Sequence, residues 1–303
     1  MKVFDSVQRY NEFNQHDTLH PLVSILDFSK ADMRSGPHMQ FGIYCIILKE
    51  IECGNLIYGR QKYDYQEGTL IFVSPGQIVD VSANTTPYQP LGHGIVFHSD
   101  LLIGTSLFSQ MDQYKFFKYE FNEALHLSKK EREQILSCLS NITEEISRPI
   151  DQHSRKLIVA NIELFLNYCQ RFYDRQFITR KHINKNIVDK FEEALNQYFK
   201  QGKALNDGLP TVSMMAHELH LSPNYFGDLI KKETEISAQE YIKQKVITIA
   251  KDRMFDATKN ISDISHELGF KYPQHFSRTF KKEVGMTPYK WRTSTDHLGS
   301  SSN

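Results

Sequence analysis

Residues 211–235 read TVSMMAHELHLSPNYFGDLIKKETE, and residues 260–285 read NISDISHELGFKYPQHFSRTFKKEVG. The second stretch is a rewriting of the first. His217-Glu218-Leu219 returns as His266-Glu267-Leu268, 49 residues on, and Lys231-Lys232-Glu233 returns as Lys281-Lys282-Glu283, 50 residues on. The extra residue falls between these anchors, in a connecting turn, where insertion is cheapest. Matched apolar positions in two copies indicate one supersecondary unit used twice.

Each copy opens on a helix-start residue, Thr211 before Val212 and Asn260 before Ile261, with Asp263 placed for a capping arrangement. Val212, Met215, Ala216 and Leu219 share a helical face, as do Ile261, Ile264, Ser265 and Leu268. Gly269 then permits the left-handed backbone of a tight turn. His220 holds that place in the first copy, a residue that visits the conformation less readily. A second helix follows, apolar at Phe226, Leu229 and Ile230 in one copy and at Phe276, Thr279 and Phe280 in the other. Helix, tight turn, helix is the helix-turn-helix layout.

Charge agrees with that layout. The whole chain is formally neutral, yet residues 208–292 hold 13 Lys and Arg against 10 Asp and Glu, while residues 1–125 hold 9 against 14. A modest basic excess on a duplicated helix-turn-helix supports nucleic-acid binding. The second copy, Gly269-Phe270 through Phe276-Ser277-Arg278-Thr279-Phe280-Lys281-Lys282-Glu283 to Gly285-Met286-Thr287-Pro288-Tyr289 and Arg292, closely resembles the C-terminal signature of AraC/XylS transcriptional regulators. The first copy, Leu221-Ser222-Pro223-Asn224-Tyr225-Phe226 with Lys231-Lys232-Glu233-Thr234, fits the same pattern. It departs from that pattern at Glu235, where the family has Gly, and at His220.

The resemblance implies double-stranded DNA as partner, read by the second helix of each unit in the major groove. With Phe276 and Phe280 inward, Pro273, Gln274, Ser277 and Arg278 point outward as base-reading candidates. Arg278 has the geometry for guanine and Gln274 for adenine. The matching positions of the first copy are Asn224, Gly227 and Asp228, a poorer set, so the second copy is expected to carry more of the direct readout. Lys231, Lys232, Lys271, Lys281 and Lys282, together with Ser222, are assigned to phosphates, which position a protein without reading sequence. Tyr241–Ala257 is expected to be a joining helix, buried at Ile242, Val246, Ile249 and Met254 or Phe255. It would set the two second helices about 34 Å apart, one turn of DNA. Trp291, the only tryptophan, is read as a core anchor of the last helix.

At 303 residues the chain has room for two domains. No apolar run reaches membrane-span length, and the N-terminus lacks a signal-peptide pattern, so a cytoplasmic protein without membrane contact is expected. Cys45, Cys53, Cys138 and Cys169 form no CxxC pair, as befits reduced thiols in ordinary packing.

Residues 22–26, 41–48, 56–58, 69–74, 78–81 and 94–98 are short apolar or alternating runs separated by turn signals, suited to a small sandwich or barrel. Tyr65 to Gly76 resembles the cupin-like sensor domain common at this place in the family. The expected fold is therefore α+β in two domains: an N-terminal cupin-like β-barrel with a following helical hairpin, and a C-terminal all-α domain with two helix-turn-helix units. The boundaries are 1–125 for the sensor, 126–175 for the hairpin, 176–185 for a basic linker, 186–292 for the DNA-binding domain and 293–303 for a disordered tail.

The hairpin stripes are Ile135, Leu139, Ile142 and Ile146, then Ile158, Ile162, Phe165, Cys169 and Phe172. The resemblance implies that residues 129–173 mediate homodimerisation, and packing against the β-domain is the alternative. A small-molecule effector would enter the barrel interior, where Tyr44, Tyr58, Phe72 and His98 are the candidate lining. RNA polymerase is a further partner if the protein activates. A cupin also raises the alternative of a metal enzyme with a DNA-binding appendage. There is no His-x-His, and His93 and His98, five apart on a strand, face opposite sides. No catalytic set, metal site or cofactor is expected.

Overall fold

The computed structural model describes the chain except residues 34–37, 51–67, 81–86, 120–122, 180, 257 and 300–303. It is an α+β protein of two compact units, Met1–Thr179 and Arg180–Asn303.

The first unit is built on two sheets. One contains β1 (Lys2–Phe4), β3 (His38–Phe41) and β6 (Ile78–Asp80), in the order β1-β3-β6, with β1 and β3 parallel. The other contains β2 (Val23–Asp27), β4 (Tyr44–Lys49), β5 (Thr69–Val73), β7 (Gly92–Phe97) and β8 (Leu125–His126), in the order β2-β7-β4-β5-β8, all antiparallel. Leu26, Cys45, Ile71, Val73 and Val96 of the larger sheet share one buried cluster with Phe4, Phe41 and Val79 of the smaller sheet. Helix α1 (Val7–Phe13) adds Val7 and Tyr10 to that cluster.

The opposite face of the larger sheet is covered as well. Tyr44 stacks on Phe97 at 4.9 Å, and Phe72 lies 4.5 Å from Phe116, ring centre to ring centre. Every residue of β5 is consequently buried, which is why that strand reads as a continuous apolar run rather than an alternation. The described strands thus form two facing sheets, where the sequence led to the expectation of one barrel. The expected strand 41–48 is in fact two, parted at Gly42 as the chain crosses between sheets. A Cβ at Gly42 would sit 3.1 Å from the Cα of Asp5. The expected strand 56–58 lies outside the described residues.

After β8 comes the helical hairpin, α3 (Lys129–Ile146) and α4 (Ser154–Thr179). Ser128 and Glu131 make a reciprocal capping box at the start of α3. All the expected stripe residues of both helices are buried. Asn141 to Asn161 and Arg175 to Glu131 tie the two helices along their length in antiparallel sense.

The second unit is all helical: α5 (Lys181–Lys200), α6 (Lys203–Asp207), α7 (Val212–Glu218), α8 (Pro223–Thr234), α9 (Ala238–Met254), α10 (Ile261–Glu267), α11 (Pro273–Val284) and α12 (Pro288–Gly299). The boundary between the two units falls inside the segment read as a linker, 176–185, whose described part is the last turn of α4 and the first of α5. In the segment read as a tail, α12 continues to Gly299, and Thr293 and Ser294 return their hydroxyls to carbonyls three or four residues back. Helix α9 ends at Met254, which is buried, leaving Phe255 67% exposed and edge-on to Trp291 at 5.6 Å.

The two copies end alike. Glu235 and Gly285 both terminate their helices in the left-handed conformation, at φ 64° and 84°. A non-glycine residue is strained there, an effect partly offset by the greater freedom of glycine in the unfolded chain. Glu235→Gly is therefore expected to stabilise the second unit by about 0.5–1 kcal/mol, read as a higher denaturation midpoint.

Candidate nucleic-acid interface

The turns of the two units are bonded in the same way. Leu221 N donates to Ala216 O at 2.9 Å, and Phe270 N donates to Ser265 O at 3.0 Å, 49 residues on. His220 N to His217 O and Gly269 N to His266 O match as well. Both turn residues are left-handed, His220 at φ 56° and Gly269 at φ 91°. Only Gly269 is also hemmed in, since a Cβ there would meet the carbonyl carbon of Gly208 at 2.5 Å. That contact forbids a side chain at Gly269, and nothing comparable stands against His220.

Thr211 and Asn260 cap α7 and α10, accepting from Met214 N and Asp263 N. Ser237 and Thr287 do the same at the helices that follow each unit, with Glu240 N and Lys290 N as donors. The duplication therefore extends to capping bonds as well as to letters.

In α8, Tyr225, Phe226, Leu229 and Ile230 are buried, leaving Asn224, Gly227, Asp228 and Lys231 on the opposite face at spacings of three and four. In α11, Phe276 and Phe280 are fully buried, and Gln274, Ser277, Arg278 and Lys281 take the matching places. Asn224, Gln274 and Arg278 are exposed, while Pro273, Gly227, Asp228 and Ser277 are partly so. Lys231, Lys232, Lys271, Lys281 and Lys282 are all exposed. Ser222 is different. It is 3% exposed, and its hydroxyl accepts from Tyr225 N at 3.1 Å, so it caps α8 rather than offering its hydroxyl to a phosphate.

The third residue of each Lys-Lys-Glu is structural. Glu233 accepts from the buried Asn184 at 3.0 Å, and Glu283 pairs with Lys243 of α9 at 2.8 Å. Hydrogen bonds to Glu240 and Glu283 hold the Lys243 ammonium above its ordinary pKa. The acid of each repeat is thus turned into the helix bundle and its two lysines into solvent. Lys281→Ala is accordingly expected to weaken binding to all duplexes alike, lowering the salt-dependence slope by about 1. Titrations over a range of salt concentrations on specific and random DNA check it.

Sequence reasoning passed over the end of α11 that faces its turn. Tyr272 is 52% exposed and supplies no side-chain cap, and His275 is exposed beside it. Their counterparts, Ser222 and Tyr225, are buried. The signal was the inserted residue itself, which falls between Phe270 and Pro273.

The effector candidates fall in the first unit and do not converge. Tyr44 and Phe72 belong to one aromatic cluster with Phe97, Phe116, Phe117 and Tyr173, on the larger sheet's second face rather than between the sheets. His98 accepts from Asp100 N at 3.2 Å and caps a short 3-10 turn. Tyr58 lies outside the described residues.

A duplicated helix-turn-helix, with one face of each second helix buried and the other polar, defines a DNA-binding module. Residues 215–294 match the family model described as a helix-turn-helix domain, and this C-terminal domain is of the AraC type. The chain is 26% identical to the uncharacterized HTH-type transcriptional regulator YtdP of Bacillus subtilis (strain 168), over 65% of this chain and 29% of that protein. It is 25% identical to the uncharacterized HTH-type transcriptional regulator YijO of Escherichia coli (strain K12), over 51% of this chain and 50% of that one. The matched regions thus span half or less of these curated relatives' length. Among solved structures, the C-terminal domain of AraT, a response regulator from Geobacillus stearothermophilus, is 25% identical with a TM-score of 0.32, covering 36% of this chain and 84% of that one. No helix among the described residues is long and apolar enough to cross a membrane.

Proposed function

We propose that this chain is a sequence-specific DNA-binding transcriptional regulator, acting in the cytoplasm as a homodimer. The observation that carries the reading is the pair of polar helix faces, 224-227-228-231 on α8 and 274-277-278-281 on α11, set on matching turns with matching buried sides. Arg278, Gln274 and Asn224 read bases, with Pro273, Ser277, Gly227 and Asp228 at the same surface. Lys231, Lys232, Lys271, Lys281 and Lys282 hold phosphates. The AraC-type domain favours this reading over a cupin-like metal enzyme with a DNA-binding appendage.

Residues 1–125 are the sensor, a cupin-like domain in which an effector would bind on the second face of the larger sheet, beside Tyr44 and Phe72. Residues 129–173 pair the protomers. In support, Leu157 and Leu164 lie seven apart on α4 and are 47% and 44% exposed. Effector or partner binding shifts the population of arrangements in which the two DNA-binding domains of a dimer meet their half-sites. RNA polymerase is the further partner if the protein activates.

Selection of duplexes from a random pool by the full chain tests the reading. One enriched sequence, bound with a steep dependence on salt, is the expected result. Retention of the pool without enrichment would overturn it.

A further inference from the structure

Glycine is the least favourable ordinary residue in a helix interior, so one that persists there needs a reason. In the second unit Gly202, Gly208, Gly269 and Gly285 all have positive φ, a conformation that suits glycine. In the first unit Gly68, Gly76, Gly92 and Gly104 share that reason, while a Cβ added at Gly42 would meet the Cα of Asp5 at 3.1 Å and one at Gly94 the Phe28 ring at 2.8 Å. Gly227 has neither reason. It lies inside α8, and a methyl group added to it would have no heavy atom within 4 Å.

The position is central to the polar face, with Asn224 and Lys231 one turn either way and Asp228 next to it in the chain. Its counterpart on α11, 50 residues on, is Ser277, also small. Both second helices are therefore thinnest at the same place. The folded chain alone gives no cause for that thinning, and a surface that approaches the helix axis closely would supply one.

We propose that Gly227 is a close-approach residue of the first unit, at which α8 seats against base edges in the major groove so nearly that a Cβ would hold the helix off. The missing side chain is then its contribution to specificity: it lets Asn224 reach a base from a helix that has only Asp228 beside it. This deepens the DNA-binding reading and rests on it.

The proposal gives Gly227→Ala two effects of opposite sign. In the full chain, alanine at this helical site raises the melting temperature by about 3 °C. It lowers affinity for the duplex selected by the unaltered chain about tenfold, with affinity for random duplex unchanged. Gly227→Ser, a second variant, is expected to lose specific affinity in the same way. An alanine variant that binds the selected duplex as tightly as the unaltered chain would overturn the proposal. So would an equal loss on random DNA, which would place the obstruction at phosphates. A lower melting temperature would show that the folded chain itself excludes the side chain, removing the premise. If the unaltered chain enriches no duplex, the DNA-binding reading fails and takes this inference with it.

Discussion

Phe276→Ala is expected to cost the second unit about 3–5 kcal/mol, enough to unfold much of it at ordinary temperatures. The ring is fully buried, 5.4 Å from Phe270 and 5.7 Å from Phe280, centre to centre. It therefore joins the turn of the second unit to the middle of α11, and a cavity there cannot close without moving one or the other. Ser277→Ala, one residue on and on the polar face, should change stability by no more than about 0.5 kcal/mol. Guanidinium denaturation followed by far-ultraviolet circular dichroism measures both. The first unit contributes its own transition, so the expected signature is loss of the helical step belonging to residues 180–303. If Phe276→Ala were as silent as Ser277→Ala, the assignment of faces on α11 would be wrong.

The second large effect is on recognition. Arg278→Ala removes an exposed guanidinium from the centre of the polar face of α11. Loss of a two-bond contact to one guanine should cost about 1–3 kcal/mol on the specific duplex and relax the preference at one base pair. Random DNA should be affected far less, through the loss of a single charge. Lys281, one turn along the same face, provides the contrast, since its loss should be felt on every sequence. Comparing the base preferences of the two variants, rather than their affinities alone, separates reading from positioning. Equal behaviour on specific and random DNA would remove the distinction drawn between them.

How much could be read beforehand varied along the chain, for physical reasons. The C-terminal unit was legible because its signals are local and occur twice: helix starts at Thr211 and Asn260, and apolar positions at Phe226, Leu229, Ile230, Phe276 and Phe280 with helical spacing. Each of these phenylalanines is buried, as are Leu229 and Ile230. The choice between Met254 and Phe255 was not legible, because it depends on where α9 stops, a matter of a single residue.

In the first unit, β1 is three residues long and pairs in parallel with β3, some 35 residues away. A segment that short has no period to detect, and its partner is not its neighbour. Helix α1, at seven residues, is scarcely longer. The break at Gly42 was hidden for a related reason, since strands on either side of it are both apolar and only their assignment to different sheets separates them. Continuous burial of β5 was readable as a strand, but the helical layer covering its second face was not.

On the candidate surface the letters gave the outward residues of α8 and α11 but not the use of Ser222. Serine before Pro-Asn-Tyr is at once a plausible phosphate ligand and a good helix cap. Its burial, with Tyr225 N at 3.1 Å, decides for the cap. The emptiness around Gly227 was likewise invisible, because a sequence records the absence of a side chain and not the space it leaves.

The central claim is that both helix-turn-helix units of one protomer engage the same duplex through their second helices. Methylation interference at guanine N7 on the selected duplex tests this most directly, since that atom lies in the major groove. The account predicts two clusters of interfering guanines on one face of the DNA, about one helical turn apart, with Arg278→Ala erasing a single position in one of them. A single cluster, or no interference at guanine N7, would contradict it.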